Sequence, residues 1–259
     1  MKKLFLMAAA LSAVISLSAC SDDDDNGGKS AKTVLVKQVI FTDEDSNESE
    51  TRSIEYDDQG RISRITSDDP TSSTYSYSYS DNIVTITITN DESQEYTVTC
   101  ELNADGYVVK ASDPYESEGS FHFFSYDNNG YLERWYTNFY TDQQWRYSWE
   151  NGNLVSVKEP EAWEQTITYT QIAATPINFC IDSYVGDYQI SELSSWGFMG
   201  RQSKFLPEKS TTTSSYDDPR TTTFKYEFNA DKTISKISMT EITEGTHSEE
   251  RYHNIRFVY

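Results

Sequence analysis

The feature that most constrains this chain is a turn that recurs at nearly constant spacing. Gly60, Asn82, Gly106, Gly130 and Gly152 each centre an Asp/Asn-rich turn, and they lie 22 to 24 residues apart. An alternating strand precedes each turn, and a second strand opening on an aliphatic residue follows it. A further copy runs from Tyr226 through Asn229-Ala230-Asp231 to Ile234. Repetition at a fixed period of this order marks one supersecondary unit copied along the chain. Here the unit is a β-hairpin of roughly 23 residues with its return connection, so the array reads as an up-and-down antiparallel meander.

Turn chemistry predicts the register. Asp57-Asp58-Gln59-Gly60 and Asp127-Asn128-Asn129-Gly130 suit a type I turn followed by a left-handed glycine. That pairs Tyr56 with Ile62 and Tyr126 with Leu132. Beyond these turns the next apolar residue comes three positions on rather than two, as in Ile62/Ile65, Leu132/Trp135 and Ile234/Ile237. One bulge in each returning strand restores the alternation and sets Ile65 opposite Ile54 and Trp135 opposite Phe124. Asp81-Asn82 and Asn151-Gly152 read as two-residue loops, giving Tyr79/Val84 and Trp149/Leu154 pairs.

These pairs define one apolar face. The other face is mostly Ser, Thr, Glu, Lys and Arg, as a one-sided antiparallel sheet requires. The expected fold is an all-β meander of about 14 strands, closed because an open sheet of that size leaves two exposed edges. Strand 34–41 would then lie beside strand 250–258. Residues 171–221 break the rhythm, with apolar Ile177–Ile181 and a short helix capped by Ser191 and carrying Leu193 and Trp196. They are expected to form a partly helical cap or plug on the apolar face.

The first residues read as an address. Lys2 and Lys3 precede an apolar stretch that is too short to span a membrane, then Leu17-Ser18-Ala19-Cys20. This resembles the bacterial lipobox, which implies cleavage after residue 19 and lipidation of Cys20. Residues 20–32 form an acidic tether through Asp22-Asp23-Asp24-Asp25 and Gly27-Gly28. Its acidic start is similar to the surface-export signal of Bacteroidetes lipoproteins. Residues 33–259 follow as a single β-repeat domain.

The unit Tyr56-Asp57-x-x-Gly60-Arg61-Ile62 resembles the tyrosine–aspartate repeats of Rhs-type shells. Together with the lipoprotein start, the tether and the length, the whole resembles an uncharacterised Bacteroidetes lipoprotein family with a porin-like β fold. Ile255-x-Phe257-x-Tyr259 is similar to the terminal strand of outer-membrane barrels. The outward face, however, offers Thr85-x-Thr87-x-Thr89 and Thr97-x-Thr99 where a membrane-inserted barrel needs an apolar band, so a water-soluble barrel is expected.

Charge narrows the partners. The 259 residues carry 42 acidic against 21 basic side chains, a net charge of −21. That argues against nucleic acid, whose phosphates require clustered Lys and Arg. His122, His247 and His253 lack paired spacing, and no zinc, nucleophile-elbow or phosphate-loop motif occurs. No metal, no cofactor and no enzymatic activity are expected. Cys100 lies on the apolar face and Cys180 in the cap segment. Export permits a disulfide between them, and two buried thiols are the favoured alternative.

Aromatic residues crowd the segment 121–149. Phe124, Tyr126, Trp135, Tyr147 and Trp149 follow the apolar parity and belong to the core. Phe121, Phe123 and Tyr136 have the opposite parity, with Phe123 across from Tyr136, and Tyr140 lies close by. Rings on a wet face stack on sugars or bury a partner, so these four are the ligand-binding candidates. The expectation is a cell-surface lipoprotein of the outer membrane, held in lipid by Cys20 and binding glycan or another extracellular ligand. The alternative is a structural or accessory protein of an outer-membrane complex.

Overall fold

The computed structural model describes residues 33–113, 119–139, 141, 144–159, 163–175, 177–180, 193, 195–215, 217–245 and 248–259. They form sixteen antiparallel strands. The first four are β1 (Gln38–Asp43), β2 (Glu48–Tyr56), β3 (Ile62–Ser67) and β4 (Thr74–Ser80). Next come β5 (Ile83–Thr89), β6 (Glu95–Leu102), β7 (Val108–Ser112) and β8 (Phe121–Tyr126). β9 (Leu132–Thr137), β10 (Trp145–Glu150), β11 (Asn153–Glu159) and β12 (Trp163–Ala173) follow. The last are β13 (Phe205–Ser214), β14 (Arg220–Phe228), β15 (Ile234–Thr243) and β16 (Glu249–Val258). Each strand pairs with its sequence neighbours, and β1 pairs with β16, with Val39 opposite Phe257 and Phe41 opposite Ile255. The barrel is closed, so no sheet edge is exposed.

The hairpins are built as their turns require. Gly60 donates to the Asp57 carbonyl, Asp57 and Arg61 close the loop, and Gly60 sits at φ +76°. Asp57 Oδ1 accepts from the amides of Gln59 and Arg61, and Asp127 Oδ1 does the same for Asn129 and Tyr131. These amides hold the Asp57 carboxyl below its usual range against the opposing effect of burial, which is the largest single influence on it. Bulges fall after Glu55, Glu101, Ser125 and Glu227, next to the turns. They leave Tyr56 opposite Ile62, Tyr126 opposite Leu132 and Phe124 opposite Trp135.

A belt of aromatic donors accompanies these turns. The Tyr79 hydroxyl donates to the carbonyl of Ile62, Tyr126 to Val108, Tyr169 to Leu154, Tyr226 to Pro207 and Tyr259 to Ile234. Trp149 Nε1 donates to Leu132, and Tyr56 to Val36. Each carbonyl lies near the start of an odd-numbered strand, Val36 just ahead of β1, where the bulge or chain entry interrupts the ladder. A buried carbonyl without a partner costs about 1–3 kcal/mol, so the aromatic residue near the end of the following, even-numbered strand contributes a donor as well as area.

Three expectations need correction. The strand count is sixteen rather than about 14. The segment between strands runs over 174–204 rather than 171–221, because β12 continues to Ala173 and β13 begins at Phe205, and its described residues form the cap. β13 escaped notice because its inward residues include Pro207, Ser210, Thr212 and Ser214, which show no apolar alternation. β1 starts at Gln38 rather than residue 34, and Val34 instead forms a parallel bridge with Ile177 of the cap.

The cap closes the end of the barrel that carries the tight turns. Arg201 N donates to the Gly130 carbonyl, Lys204 N to Gly152, and Val108 N to Phe198. Val36 N donates to Asn178 Oδ1, and Thr175 Oγ1 to the Lys232 carbonyl. Gly200 approaches so closely that a Cβ there would lie 2.7 Å from the Gly130 carbonyl oxygen. Inside, Phe198 stacks over Tyr77 at 6.3 Å, while Phe179 meets Phe257 at 5.3 Å and Trp196 at 5.4 Å. Leu193 and Ser195 are helical; Ser191 lies outside the described residues. The cap and most inward strand faces thus form the main apolar core, with Leu154, Val157 and Ile167 as a smaller cluster of their own.

Candidate functional site

The described residues leave the other half of the lumen unfilled. Along several strands the inward positions change from aliphatic to polar on moving away from the cap. On β2 the series runs Ile54, Arg52, Glu50, Glu48, and on β15 it runs Ile237, Met239, Glu241. On β14 it runs Phe224, Thr222, Arg220, opposite Ser210 and Thr212 of β13. Side chains of this kind cannot pack into a dry core without partners. A cavity of about 1390 Å³ results, with Phe179 and Ser195 of the cap at its floor and the loops of the opposite end at its mouth. It exceeds the roughly 300–1,000 Å³ of a typical small-molecule pocket.

One wall is aromatic. Trp145 of β10 and Trp163 of β12 face inward with ring centroids 4.9 Å apart and planes inclined by 57°, and Trp145 also meets Trp135 at 5.7 Å. Both cavity-lining tryptophans are half-buried. Beside Trp163 on the same strand face, Gln165 is 6% exposed, and its Oε1 is buried without a hydrogen-bond partner among the described residues. A buried amide oxygen left without a donor costs free energy, and natural folds rarely leave one so.

The opposite wall is charged. Glu50 Oε1 accepts from Arg52 Nε at 2.9 Å and from Ser67 Oγ at 2.8 Å. Burial pushes the Glu50 carboxyl up, but the Arg52 contact and Ser67 together outweigh it and hold it below its usual range. Arg220 Nε lies 3.5 Å from Glu241 Oε1. At the rim, Asp43 accepts the amides of Ser46 and Asp45, which lower its carboxyl, and His253 stands across from it in register. Among the described residues, seven lining carboxylates (Asp43, Glu48, Glu50, Asp69, Asp217, Asp218 and Glu241) face two arginines.

The candidates read from sequence occupy another surface. Phe123 and Tyr136 are directly paired on the outer wall, with rings stacked at 5.3 Å and 17°. Phe121 meets Phe123 edge-on at 6.5 Å, and Lys110 Nζ sits 4.3 Å over the Phe121 ring while bridging Glu101 at 2.8 Å. These three residues are half-buried and lie outside the lumen. Tyr140, Cys20 and His247 lie outside the described residues. Cys100 of the wall and Cys180 of the cap are buried thiols with no disulfide between them. His122 packs within the core, bonded to Trp135 and Asp113, and His253 lines the cavity.

The lumen residues Trp145, Trp163, Gln165, Arg220 and Glu241 were missed from sequence, although strand parity places all of them on the inward face. The missing information was which inward positions the cap leaves uncovered.

No protein-family model matches the sequence, and no curated protein matches it. Solved structures do. A porin-like protein from Bacteroides uniformis ATCC 8492 aligns with TM-score 0.66 at 13% identity, covering 88% of this chain and 98% of that one. A porin-like protein from Bacteroides vulgatus ATCC 8482 aligns with TM-score 0.58 at 16% identity, covering 87% and 98% respectively. At such identities the likeness is one of fold.

Proposed function

We propose that this chain is a lipid-anchored binding protein of the outer-membrane surface, and that its ligand, a glycan or another extracellular molecule, enters the barrel at the loop end. The observation that carries this reading is the half-filled lumen. The cap seals one end through hydrogen bonds to several hairpins, while the other half holds a polar, aromatic-walled cup. A barrel plugged in this way offers a binding site rather than a passage. The fold itself matches porin-like structures. The outward wall, however, carries pairs such as Thr85/Thr99, Thr87/Thr97 and Thr211/Thr221, and a lipid-facing barrel needs an apolar band there. The barrel therefore stands in water, and Cys20 with its acidic tether supplies the anchor. The role is binding rather than catalysis.

A second reading rests on the outer wall. The Phe121, Phe123 and Tyr136 rings, half-buried on a face otherwise rich in Thr and Ser, suit contact with a partner in an outer-membrane complex or with sugar rings. Tryptophan emission of the mature protein, followed through a screen of extracellular oligosaccharides and small molecules, separates the two. A lumen ligand changes the emission of wild type and loses affinity in Trp163→Leu but not in Phe123→Ala. The reverse pattern would move the site to the outer wall.

A further inference from the structure

We infer that the cup selects an organic cation, a small molecule carrying a protonated or quaternary ammonium group, and seats it between the Trp145–Trp163 pair and Gln165. This rests on the lumen being the binding site. Three independent features of the cup converge on that chemistry.

The first is charge. Among the described residues seven lining carboxylates face two arginines, and both arginines already bridge carboxylates, Arg52 to Glu50 and Arg220 to Glu241. Carboxylates around a cleft with low-dielectric walls focus a negative potential into it, which raises the local concentration of cations and repels anions. The acidic groups do not converge: among the described residues no set of three or more His, Cys, Asp or Glu could hold a metal ion. A field spread over a wide cup suits a bulky, weakly hydrated cation better than a bare divalent one, which needs a tight oxygen cage.

The second feature is the aromatic wall. Trp145 and Trp163 present inclined faces 4.9 Å apart on the inner surface. Tryptophan is the strongest cation–π acceptor among side chains, and the interaction gains when the site is shielded from water. The third is Gln165. Its side chain lines the cup, is only 6% exposed, and among the described residues its Oε1 has no donor. Oε1 is sealed from the open cup as the side chain stands, so an ammonium N–H, or the polarised C–H groups around a quaternary nitrogen, would supply the missing contact once the Gln165 amide turns toward the ligand. A carboxylate or phosphate ligand would supply none.

The test is a titration of the mature barrel with choline, spermidine, cellobiose and glucuronate, read by tryptophan emission at low and high salt. Choline and spermidine should produce saturable changes at affinities at least about tenfold above those for cellobiose or glucuronate, weakening as salt screens the carboxylates. Gln165→Leu should weaken choline binding about tenfold while leaving the thermal midpoint unchanged or higher, because it removes an orphan amide. Trp163→Leu should weaken it at least as much. Cellobiose binding with inert cations would overturn the cation assignment and leave the lumen as the binding site. Unchanged choline affinity in Gln165→Leu would overturn the proposed seat. Silence towards both ammonium probes overturns the inference, and silence across the wider oligosaccharide screen would remove the lumen reading as well.

Discussion

His122 Nδ1 accepts the indole N–H of Trp135 at 3.1 Å, while its Nε2 lies 3.0 Å from Asp113 Oδ2. An indole nitrogen can only donate, so Nδ1 is the acceptor and the ring proton sits on Nε2, directed at the carboxylate. Asp113, next to the β7–β8 loop, is thereby tied to the core through β8 and β9. The side chains of His122 and Asp113 are 8% and 4% exposed.

Replacing His122 by Ala removes a contact from each neighbour. The Trp135 N–H loses its acceptor and the Asp113 carboxylate loses one donor, and a buried polar group left unmade costs about 1–3 kcal/mol. Urea unfolding should show the midpoint falling accordingly. A loss below about 1 kcal/mol would mean that water reaches Asp113 in solution.

The aromatic belt predicts a series of smaller effects. Tyr126→Phe keeps the ring but removes the 2.6 Å bond to the Val108 carbonyl. The loss should be about 1–3 kcal/mol by chemical denaturation, the cost of a buried carbonyl without a donor. Leu102, which pairs with Val108 at the end of β6 and carries no donor, gives the contrasting case: Leu102→Met should cost less than about 1.5 kcal/mol.

Alkaline pH should unfold the barrel in a defined window. Burial pushes the Tyr56 and Tyr259 phenols up to about 12, and pushes Tyr79 and Tyr126 higher still. The native state therefore holds protons that the unfolded chain releases near pH 10. Stability is full below about pH 10 and falls as pH rises towards about 12, because the unfolded state binds fewer protons there. Absorbance at the phenolate band should show exposed tyrosines titrating first, with the buried group appearing only on unfolding.

Cys100 is fully buried, and burial pushes its thiol up to about 12. It should resist a thiol reagent in the native barrel and react on unfolding in guanidinium, since the thiolate is the attacking species. Fast labelling of Cys100 without denaturant would show the wall opening near β6.

Closure is testable at one outward pair. Gln38 lies opposite Val258 across the β1–β16 seam. Gln38→Cys combined with Val258→Cys should cross-link under mild oxidation, visible as faster migration on a non-reducing gel. Reduced cysteines in the folded double variant would mean an open seam.

Much of this architecture was legible because hairpins are local. Asp57-x-x-Gly60 specifies its own loop, the loop specifies the bulge, and the bulge specifies that Ile54 meets Ile65; all of this is decided within a dozen residues. Phe123 opposite Tyr136 followed by the same logic, and the structure pairs them. β13 was illegible because a strand that lines a wet cavity loses the alternation by which strands are recognised. The lumen residues were illegible for a related reason: Trp163 and Trp135 have the same parity and residue type, yet Trp135 is buried core and Trp163 lines the cup.

Sequence alone determined the hairpin, its register and the inward parity, since each depends on backbone conformations and side-chain alternation over a few neighbouring residues. Only the tertiary structure decided how many strands close the ring, which end the cap seals and which inward positions remain uncovered. Those outcomes depend on where sixteen strands and a distant segment meet in space. Parity can say that Gln165 points inward, but whether it meets packed side chains or open volume is settled by where cap residues such as Phe179, Ser195 and Phe198 sit in the barrel.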